Sequence, residues 1–381
     1  MKNTRREFSL FGLGAALTGG GAQTALATEK KKVSVLPMHA DPSLSCQEVN
    51  LAGGRAGSVI ATFSRAAAGR EAGEIMFTRS VDRGANWTRP IVIFSGDEQN
   101  QGHQVAGITQ LANGRLIAAS TRFRFLFEGK VRWRRGSQTD GVYLRESTNG
   151  GSRWGEIRKL DTAPFRVAWT RGSILELPDG RLLLPLAGQK GQSYNDAGEP
   201  IASFVLCSKD GGDNWMYHGT IAHDIGGLTD YDEPAMVNLG GARLLCVLRS
   251  HDNPRKDPPG GYLHITTSED SGETWGPVRK TSMWGHPAAL LRLRDGRVLC
   301  TYGYRMHPNP GVRGCVSADG VEWKPEHIFP VREFASLEAD RLQIGCPSSV
   351  ELDDGGILTA YQVWSESQTQ HQCLEAKRYR I

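Results

Sequence analysis

The sequence predicts an all-β protein, a six-bladed β-propeller of four-stranded antiparallel blades. Three observations support this fold class: turn-forming residues are spread along the chain, one turn motif occurs five times, and a second turn motif alternates with it. Of the 381 residues, 46 are glycine and 18 are proline, which indicates many tight turns between short strands. With 39% hydrophobic and 23% charged residues, the chain is neither disordered, nor a coiled coil, nor collagen.

The first 27 residues have the features of an export signal. Arg5 and Arg6 precede a Phe-x-Leu sequence and a weakly apolar run, and the segment ends in Ala25-Leu26-Ala27. A charged start, a short apolar run and an A-x-A site are typical of a secretory signal peptide, and the paired arginines favour the twin-arginine route. We therefore predict a signal peptide over residues 1–27, a single domain over residues 28–381, and a periplasmic or secreted protein without a membrane anchor.

Charge and cysteine content exclude several classes of partner. The formal net charge is only +4, and the 45 basic residues are scattered, so we expect no nucleic acid partner. The seven cysteines form no CxxC pair, which argues against a zinc ribbon and against a dense disulfide framework. We expect no cofactor. The cysteines are residues 46, 207, 246, 300, 315, 346 and 373.

The first repeated pattern, here called the outer-turn motif, has the form Ser-x-Asp/Asn-x-Gly-x-x-Trp, with one shortened copy. It places Asp or Asn and Gly where a turn needs a capping side chain or a positive φ, and Trp where the next strand begins. A recurring hairpin is implied. The copies span Ser80–Trp87, Ser147–Trp154, Ser208–Trp215, Ser268–Trp275 and Ser317–Trp323.

The second pattern, here called the inner-turn motif, lies out of phase with the first. It places Asn-Gly, Asp-Gly or Gly-Gly between apolar runs, which is the strongest short-range signal of a β-hairpin. Each unit therefore has an inner and an outer hairpin, and six units of about 59 residues fit a six-bladed propeller. The copies begin at Leu111, Leu177, Leu239, Leu293 and Leu352, with a degenerate copy at Leu51.

The termini are expected to complete the last blade. Its inner-turn motif has no matching outer-turn motif, so we predict that residues 372–381 add one strand. Residues 31–36 would return to pair beside that strand and close the ring.

The outer-turn motif is known as the Asp box, and with the repeat length it resembles the sialidase (neuraminidase) superfamily over nearly the whole mature chain. The resemblance implies a glycoside hydrolase. Asp boxes lie far from the family's active site, so they support the fold more strongly than the function.

Residues preceding each innermost strand of a propeller should gather at one end of the central channel. Arginines from separate blades at that end suit recognition of a planar carboxylate, so the ligand should be acidic. The segments are Gly102-His103-Gln104, Thr170-Arg171-Gly172, Asp232-Glu233-Pro234, Gly285-His286-Pro287 and Gly345-Cys346-Pro347, joined by Arg65, Arg122, Arg249 and Arg305 from the ends of second strands.

The resemblance also implies roles for three of these residues. Glu233 matches the glutamate that activates the sialidase nucleophile, and Arg249 and Arg305 match two arginines of the carboxylate-binding triad. Two departures are evident. Cys346 stands where the family has its nucleophilic tyrosine, and residues 43–48 stand where the family has its Arg-Ile-Pro segment.

Glycoside cleavage usually needs two carboxyl groups or a carboxyl group and a nucleophile. Glu233 is the first candidate, with Asp232, Asp230 or Asp41 as its partner. Tyr231, Tyr304 or Cys346 are alternative nucleophiles, the last with His103 or His286 as base. The predicted catalytic residues are Glu233, Asp232, His103 and Tyr304. The predicted substrate-binding residues are Arg249, Arg305, Arg171, Arg122, His286 and Cys346.

The sequence leaves two other functions open. A polysaccharide lyase acting on uronic acids needs a base, an acid and an arginine but no nucleophile, and His103, His286, Tyr304 and Arg249 suit those roles. A non-catalytic propeller that binds a glycan would also explain the missing tyrosine. A metal held by His103 and His286 is a further alternative, although no metal-binding spacing supports it.

Overall fold

The computed structural model describes residues 35–39, 44–54, 57–67, 73–96, 101–124, 138–191, 199–252, 261–335, 344–364 and 372–381. The predicted signal peptide, the candidate Asp41 and residues 31–34 lie outside these described residues. No helix within the described ranges is both long enough and apolar enough to cross a membrane.

The described residues form β-strands joined by turns, with a single 3-10 turn at Pro325–His327. The strands are β1 Val35–His39, β2 Leu44–Gly53, β3 Val59–Ala67, β4 Glu74–Ser80, β5 Ile91–Phe94, β6 Gln101–Gln110, β7 Leu116–Arg124, β8 Gln138–Ser147, β9 Arg158–Lys159, β10 Val167–Trp169, β11 Leu175–Glu176, β12 Leu182–Gln189, β13 Ala202–Ser208, β14 Met216–Ala222, β15 Thr229–Gly240, β16 Arg243–Asp252, β17 Tyr262–Ser268, β18 Arg279–Trp284, β19 Ala288–Arg292, β20 Val298–Tyr304, β21 Gly311–Ser317, β22 Ile328–Glu333, β23 Gly345–Glu351, β24 Ile357–Trp364 and β25 Gln372–Tyr379.

These strands make six antiparallel sheets, which confirms the predicted six-bladed propeller. Blade 1 contains β2 to β5, blade 2 β6 to β9, blade 3 β10 to β14, blade 4 β15 to β18, blade 5 β19 to β22, and blade 6 β23 to β25 with β1. In blade 3 both β10 and β11 pair with β12, so the innermost strand of that blade is interrupted at residues 170–174. This interruption contains Arg171, a residue of the candidate site.

The ring closes as the sequence predicts. Strand β1 pairs antiparallel with β25, and Leu36 lies opposite Ala376. The N-terminal strand is therefore the outermost strand of the last blade. The first and last described strands therefore stabilise the same sheet, and β1 covers the edge that β25 would otherwise expose.

The first strands of all six blades surround a central cavity of about 290 Å³. Its lining comes from every blade, for example Asn50, Thr109, Met236, Leu290 and Ser349. The apolar cores lie outside this ring, between adjacent blades, where residues such as Phe204, Leu144 and Tyr302 are fully buried or nearly so. Side chains at the start of each first strand therefore meet at one end of the channel, which we call the mouth.

The outer-turn motif joins the third and fourth strands, as predicted, and its hydrogen bonds explain its residue types. In blade 3, Ser208 Oγ accepts the amide of Gly212 at 2.8 Å and donates to Asp210 Oδ1 at 2.8 Å. Trp215 Nε1 donates to the Gly212 carbonyl at 2.9 Å. Gly212 has a φ of +105°, which a side chain would strain. The motif is thus a turn whose own side chains satisfy its backbone groups, and it places a tryptophan between adjacent blades.

We expect Ser208→Ala to destabilise the protein by about 1–3 kcal/mol, because the buried Gly212 amide loses its acceptor. Urea unfolding followed by circular dichroism measures the change. Lys209→Ala alters an exposed residue of the same turn and should leave the free energy of unfolding within about 0.5 kcal/mol of wild type. Equal stability of the Ser208 variant and the Lys209 variant would contradict this account of the turn.

Candidate functional site

Three residues of the mouth lie at β-bulges in first strands. Glu48, Glu233 and Cys346 have φ values of 56°, 47° and 47°, and the strand register shifts at each of them. A bulge re-aims a side chain, and a non-glycine residue at positive φ is often part of a functional site. The sequence placed Glu233 just before the first strand, and this was wrong: it lies within β15.

The bulges follow one geometry in three blades. Two residues, such as Glu233 and Pro234, stand on the first strand where the second strand has only one, such as Leu248. The local twist turns the first bulged side chain toward the mouth. Equivalent bulges therefore bring two carboxylates and a thiol together from blades 1, 4 and 6.

Arg171 lies between the two carboxylates. It occupies the gap between β10 and β11, and its Nη1 forms an ion pair with Glu48 Oε2. The same nitrogen lies 3.9 Å from Glu233 Oε1. Burial acts to lower the pKa of Arg171, but Glu48 and then Glu233 raise it above its ordinary value. Arg171 is therefore a permanently charged bridge between blades 1 and 4.

Glu233 is held as a carboxylate with one free oxygen. Its Oε1 lies 3.1 Å from Arg249 Nη1, whereas its buried Oε2 has no hydrogen-bond partner among the described residues. Burial acts to raise the pKa of Glu233, but Arg249 and Arg171 outweigh burial and hold it below its ordinary value. An ionised carboxylate with an unpaired oxygen is suited to accept a proton or to attack an electrophilic carbon.

Asp232 has a different environment although it is the next residue along the chain. Its Oδ1 accepts hydrogen bonds from Trp169 Nε1 at 2.7 Å and from the Glu233 amide at 2.6 Å. Burial and the adjacent Glu233 carboxylate raise the pKa of Asp232 to about 6. The two carboxyl groups thus differ in protonation behaviour, and Asp232 links blade 4 to blade 3.

Arg305 and Cys346 complete the mouth on the side of blades 5 and 6. Arg305 Nε donates to the Ile344 carbonyl at 3.0 Å, and its Nη2 lies 3.6 Å from Cys346 Sγ. Burial, together with Arg249, lowers the pKa of Arg305. Within the described residues Arg305 forms no salt bridge with a carboxylate, so its charge is the least compensated in the mouth.

Cys346 is a neutral thiol. Its Sγ donates to Glu48 Oε1 at 3.5 Å, and burial followed by the Glu48 carboxylate raises its pKa to about 12. A thiol in this state is a poor nucleophile, because the thiolate is the reactive form. The geometry thus disfavours the sequence-based alternative that Cys346 attacks the substrate.

His286 is a neutral imidazole in the mouth. It is 4% exposed, and its ring centroid lies 6.2 Å from that of His251. Burial and the neighbouring Arg249 and Arg305 lower the pKa of His286 well below its ordinary value. Its Nδ1 has no hydrogen-bond partner in the described part of the chain, so it is a second buried polar atom that is unpaired.

Two of the four predicted strand-end arginines pair with acids of their own blades. Arg65, Arg122 and Arg249 occupy equivalent positions, opposite Cys46, His103 and Asp232 respectively. Arg65 pairs with Glu74 at 2.7 Å and Arg122 with Asp140 at 3.2 Å, both acids of the third strand in the same blade. Recognition of an acidic ligand by Arg122 stays a prediction.

His103 lies in a separate aromatic pocket between blades 1 and 2. Its Nδ1 lies 3.1 Å from Ser120 Oγ, and its ring packs against Phe94 and Tyr143. Burial and Arg122 lower the pKa of His103 to about 4. The structure gives it contacts within this pocket and none with Cys346, so the predicted pairing of these two residues is not observed.

Tyr304 and Asp230 have packing and capping contacts. The Arg313 guanidinium lies 3.5 Å from the centre of the Tyr304 ring, and Trp284 packs against the edge of that ring. Asp230 Oδ1 accepts the amide of Ile201 at 2.9 Å. Through these contacts Tyr304 and Asp230 help to hold neighbouring blades together.

Glu48 is the mouth residue that sequence reasoning missed. Residues 43–48 were noted only as a departure from the sialidase pattern. One signal was available: the segment Cys46-Gln47-Glu48 precedes the degenerate inner-turn motif of blade 1, as Asp232-Glu233 precedes the inner-turn motif of blade 4. Comparing blades with each other, rather than with the family, would have found it.

The described residues contain no group of three or more His, Cys, Asp or Glu side chains placed to hold a metal ion. His103 and His286 belong to different blades and have the separate surroundings given above.

A family model for the BNR repeat-like domain matches residues 59–358, which is most of the described propeller. The chain belongs to the BNR repeat-like domain family. The expected resemblance to propellers of the sialidase type is thereby confirmed for the family and the fold. No curated protein sequence matches this BNR repeat-like chain.

Solved structures share the propeller of this BNR repeat-like chain. A protein of unknown function from Dyadobacter fermentans is 22% identical, with a TM-score of 0.76 over 92% of this chain and 99% of the other. The intramolecular trans-sialidase of Ruminococcus gnavus is 13% identical, with a TM-score of 0.63 over 92% and 97%. The α-L-arabinanase of Penicillium chrysogenum is 12% identical, with a TM-score of 0.64 over 91% and 98%. At these identities the likeness concerns the fold.

We expect the fluorescence of Trp169 to change as Asp232 titrates, with a midpoint near its pKa of about 6, because ionisation strengthens the hydrogen bond from the indole. The measurement is the pH-dependent emission of wild type minus that of Trp169→Phe. Asp232→Asn should remove the transition. A flat difference curve between about pH 4 and pH 8 would contradict the raised pKa, since an ordinary aspartate titrates near 4.

Proposed function

We propose that this protein is an exported, sialidase-like glycoside hydrolase that releases a terminal acidic sugar from a glycan. The observation that carries the proposal is the mouth itself. There Arg305 lacks a carboxylate partner among the described residues, and it lies in the same charged group as Glu233, whose Oε2 has no hydrogen-bond partner among them. The export segment of the sequence and the names of two proteins that share the fold, a trans-sialidase and an arabinanase, support a carbohydrate substrate outside the cytoplasm.

An acidic sugar fits the charges of the mouth. Three guanidinium groups, those of Arg171, Arg249 and Arg305, face the carboxylates of Glu48 and Glu233. Cys346 is a neutral thiol and His286 a neutral imidazole, so neither adds charge. A ligand carboxylate beside Arg305 would give this guanidinium a carboxylate partner and form charge-assisted hydrogen bonds in a water-poor site.

In this proposal Glu233 is the residue that acts on water or on the substrate. Its lowered pKa keeps the carboxylate ionised at neutral pH, and Arg249 fixes one oxygen so that the other is directed to the ligand. Such a group acts as a base toward water or as the nucleophile at the anomeric carbon. The neighbouring Asp232, with its pKa of about 6, is the group near the site that exchanges a proton in the physiological range.

A second function, β-elimination from a uronic acid, is favoured by one observation. His286 is a neutral imidazole with an open Nδ1, and a neutral base beside arginines that hold a carboxylate is what elimination requires. The two reactions differ in their products. Hydrolysis gives a sugar without new ultraviolet absorbance, whereas elimination gives an unsaturated, absorbing sugar.

We expect the mature protein to release sugar from at least one member of a panel of sialylated, uronic acid and neutral glycans, and Glu233→Gln to lower kcat at least about 100-fold, because the amide cannot accept a proton. Mass spectrometry and ultraviolet absorbance identify the product. Glu146→Gln is the matched control. Glu146 also contacts two arginines, Arg115 at 2.9 Å and Arg158 at 2.6 Å, but all three residues belong to blade 2.

Three outcomes bear on this assignment. Undiminished release by the Glu233 variant would exclude a catalytic role for Glu233. An absorbing product would replace hydrolysis by elimination and move the base to His286. No release from any glycan would leave a glycan-binding propeller.

We expect Arg305→Met to raise KM or Kd for an acidic glycan at least about 10-fold while changing that for a neutral glycan of equal length less than about threefold, because only the acidic ligand forms the ion pair. Isothermal titration calorimetry measures binding directly. Arg65→Met is the control, because Arg65 is also a strand-end arginine but pairs with Glu74. Equal losses for acidic and neutral glycans would show that Arg305 does not recognise the anion.

A further inference from the structure

Glu48 and Glu233 compete for one guanidinium. Both lie at the first position of equivalent bulges, and both contact Nη1 of Arg171. The contacts are unequal: Arg171 forms a close ion pair with Glu48 and lies 3.9 Å from Glu233. Arg171 is therefore drawn toward blade 1 and away from Glu233.

The position of Glu48 is fixed from three sides. One carboxylate oxygen binds Arg171, the other accepts the Cys346 thiol at 3.5 Å, and the Glu48 amide donates to Gln362 Oε1 at 2.9 Å. The residue is 8% exposed and has a positive φ of 56°. A non-glycine residue in this conformation is strained and persists where its surroundings hold it.

The withdrawal of Arg171 determines what Glu233 offers to a ligand. Glu233 Oε1 keeps one close partner, Arg249 at 3.1 Å, and Oε2 keeps none within the described residues. A guanidinium that moved from Glu48 to Glu233 would bind Glu233 on its second side, because arginine readily grips a carboxylate with two donors. The open oxygen would then be occupied.

We propose that Glu48 is a positioning residue for the reaction, which holds Arg171 off Glu233 and so keeps the Glu233 Oε2 free of an arginine partner. The inference rests on the proposed function, and it adds a residue that neither the sequence resemblance nor the comparisons assign. Glu48 acts through Arg171 and is not itself required to touch the sugar.

The proposal makes a signed prediction about pH. The charged and titratable groups that face Glu233 are Asp232 from its own strand, Arg171 from blade 3, Arg249 from β16 and Arg305 from blade 5, with the neutral His286 beside the last two. In Glu48→Gln, Arg171 loses its anion and turns to Glu233, while the repulsion between the two carboxylates disappears. Both changes favour ionised Glu233 and lower its pKa.

Two changes are therefore expected for Glu48→Gln. The reaction requires ionised Glu233, so kcat falls at low pH as Glu233 becomes protonated. This acid limb of the pH profile should move to lower pH by about one unit. At the pH optimum kcat should drop by at least about tenfold, because Arg171 occupies the oxygen that serves the reaction. Glu48→Asp keeps the charge and should leave the acid limb within about 0.3 units of wild type.

The experiment measures the pH dependence of kcat for wild type, Glu48→Gln, Glu48→Asp and the control Glu146→Gln. In parallel, carbon-13 NMR of protein labelled at the glutamate carboxyl carbons follows the titration of Glu233, whose signal is identified by its absence in Glu233→Gln. The NMR readout needs no turnover. An inactive wild type would overturn the proposed function, whereas the Glu233 titration would still test the effect of Glu48.

A double-mutant cycle tests whether the effect passes through Arg171. Arg171→Gln alone should move the Glu233 titration to higher pH. Adding Glu48→Gln to it should lower the Glu233 pKa less than Glu48→Gln does in wild type, because only the repulsion between the two carboxylates is then removed. If Glu48→Gln does not fold, a large shift between Arg171→Gln and the double variant would still contradict an effect that passes mainly through Arg171. An unchanged Glu233 titration in Glu48→Gln, or an equal shift with and without Arg171, would overturn the proposal.

Discussion

Charge burial at the mouth is the constraint on which the site depends. Three arginines and two glutamates from different blades lie largely out of water, and a buried charge is stable only when it is paired or hydrogen-bonded. The contacts meet this condition unevenly. Arg171 and Arg249 have carboxylate partners, whereas Arg305 has a carbonyl and a thiol. This difference between the arginines persists because each blade fixes the positions of its own strands.

The propeller provides this rigidity because one of its ends carries the turns that fix the strands and the other end carries the site. At the end away from the mouth, turns such as Ser208–Trp215 are satisfied by their own side chains and backbone, so they fold locally and set the strand register. At the mouth, the register is interrupted by bulges. Closure of the ring by β1 and β25 keeps the blades from separating, so charged groups from distant parts of the chain remain within reach of one another.

The fold was predictable from sequence because its signals are local. Each turn motif contains the serine, aspartate and glycine that its own hydrogen bonds need, so five or six copies were enough to count the blades. The site was predictable only in part. Glu233, Arg171, Arg249 and Arg305 were found, but no local pattern shows that an equivalent arginine pairs with an acid of its own blade, as Arg122 does with Asp140.

Glu48 was missed for a related reason. A bulge depends on how the first strand pairs with the second strand, and the residues of the bulge alone do not predict that pairing. Asp232 and Glu233 are neighbours in the chain, but the register shift after Asp232 gives each its own surroundings. Non-local pairing, and not composition, decides which side chains enter the mouth.

The adjacent pair Asp232 and Glu233 shows how this pairing generates chemistry. Two carboxylic acids next to each other in the chain would titrate alike in an extended peptide. Here the bulge turns Glu233 to Arg249 and Arg171, which keep it ionised, and leaves Asp232 against the Trp169 indole in a buried position, where its pKa rises to about 6. Neighbouring carboxyl groups pushed apart in pKa by their environments are what acid and base catalysis uses. A single irregularity in one strand, supported by one arginine of the same blade and one of blade 3, is sufficient to produce that difference.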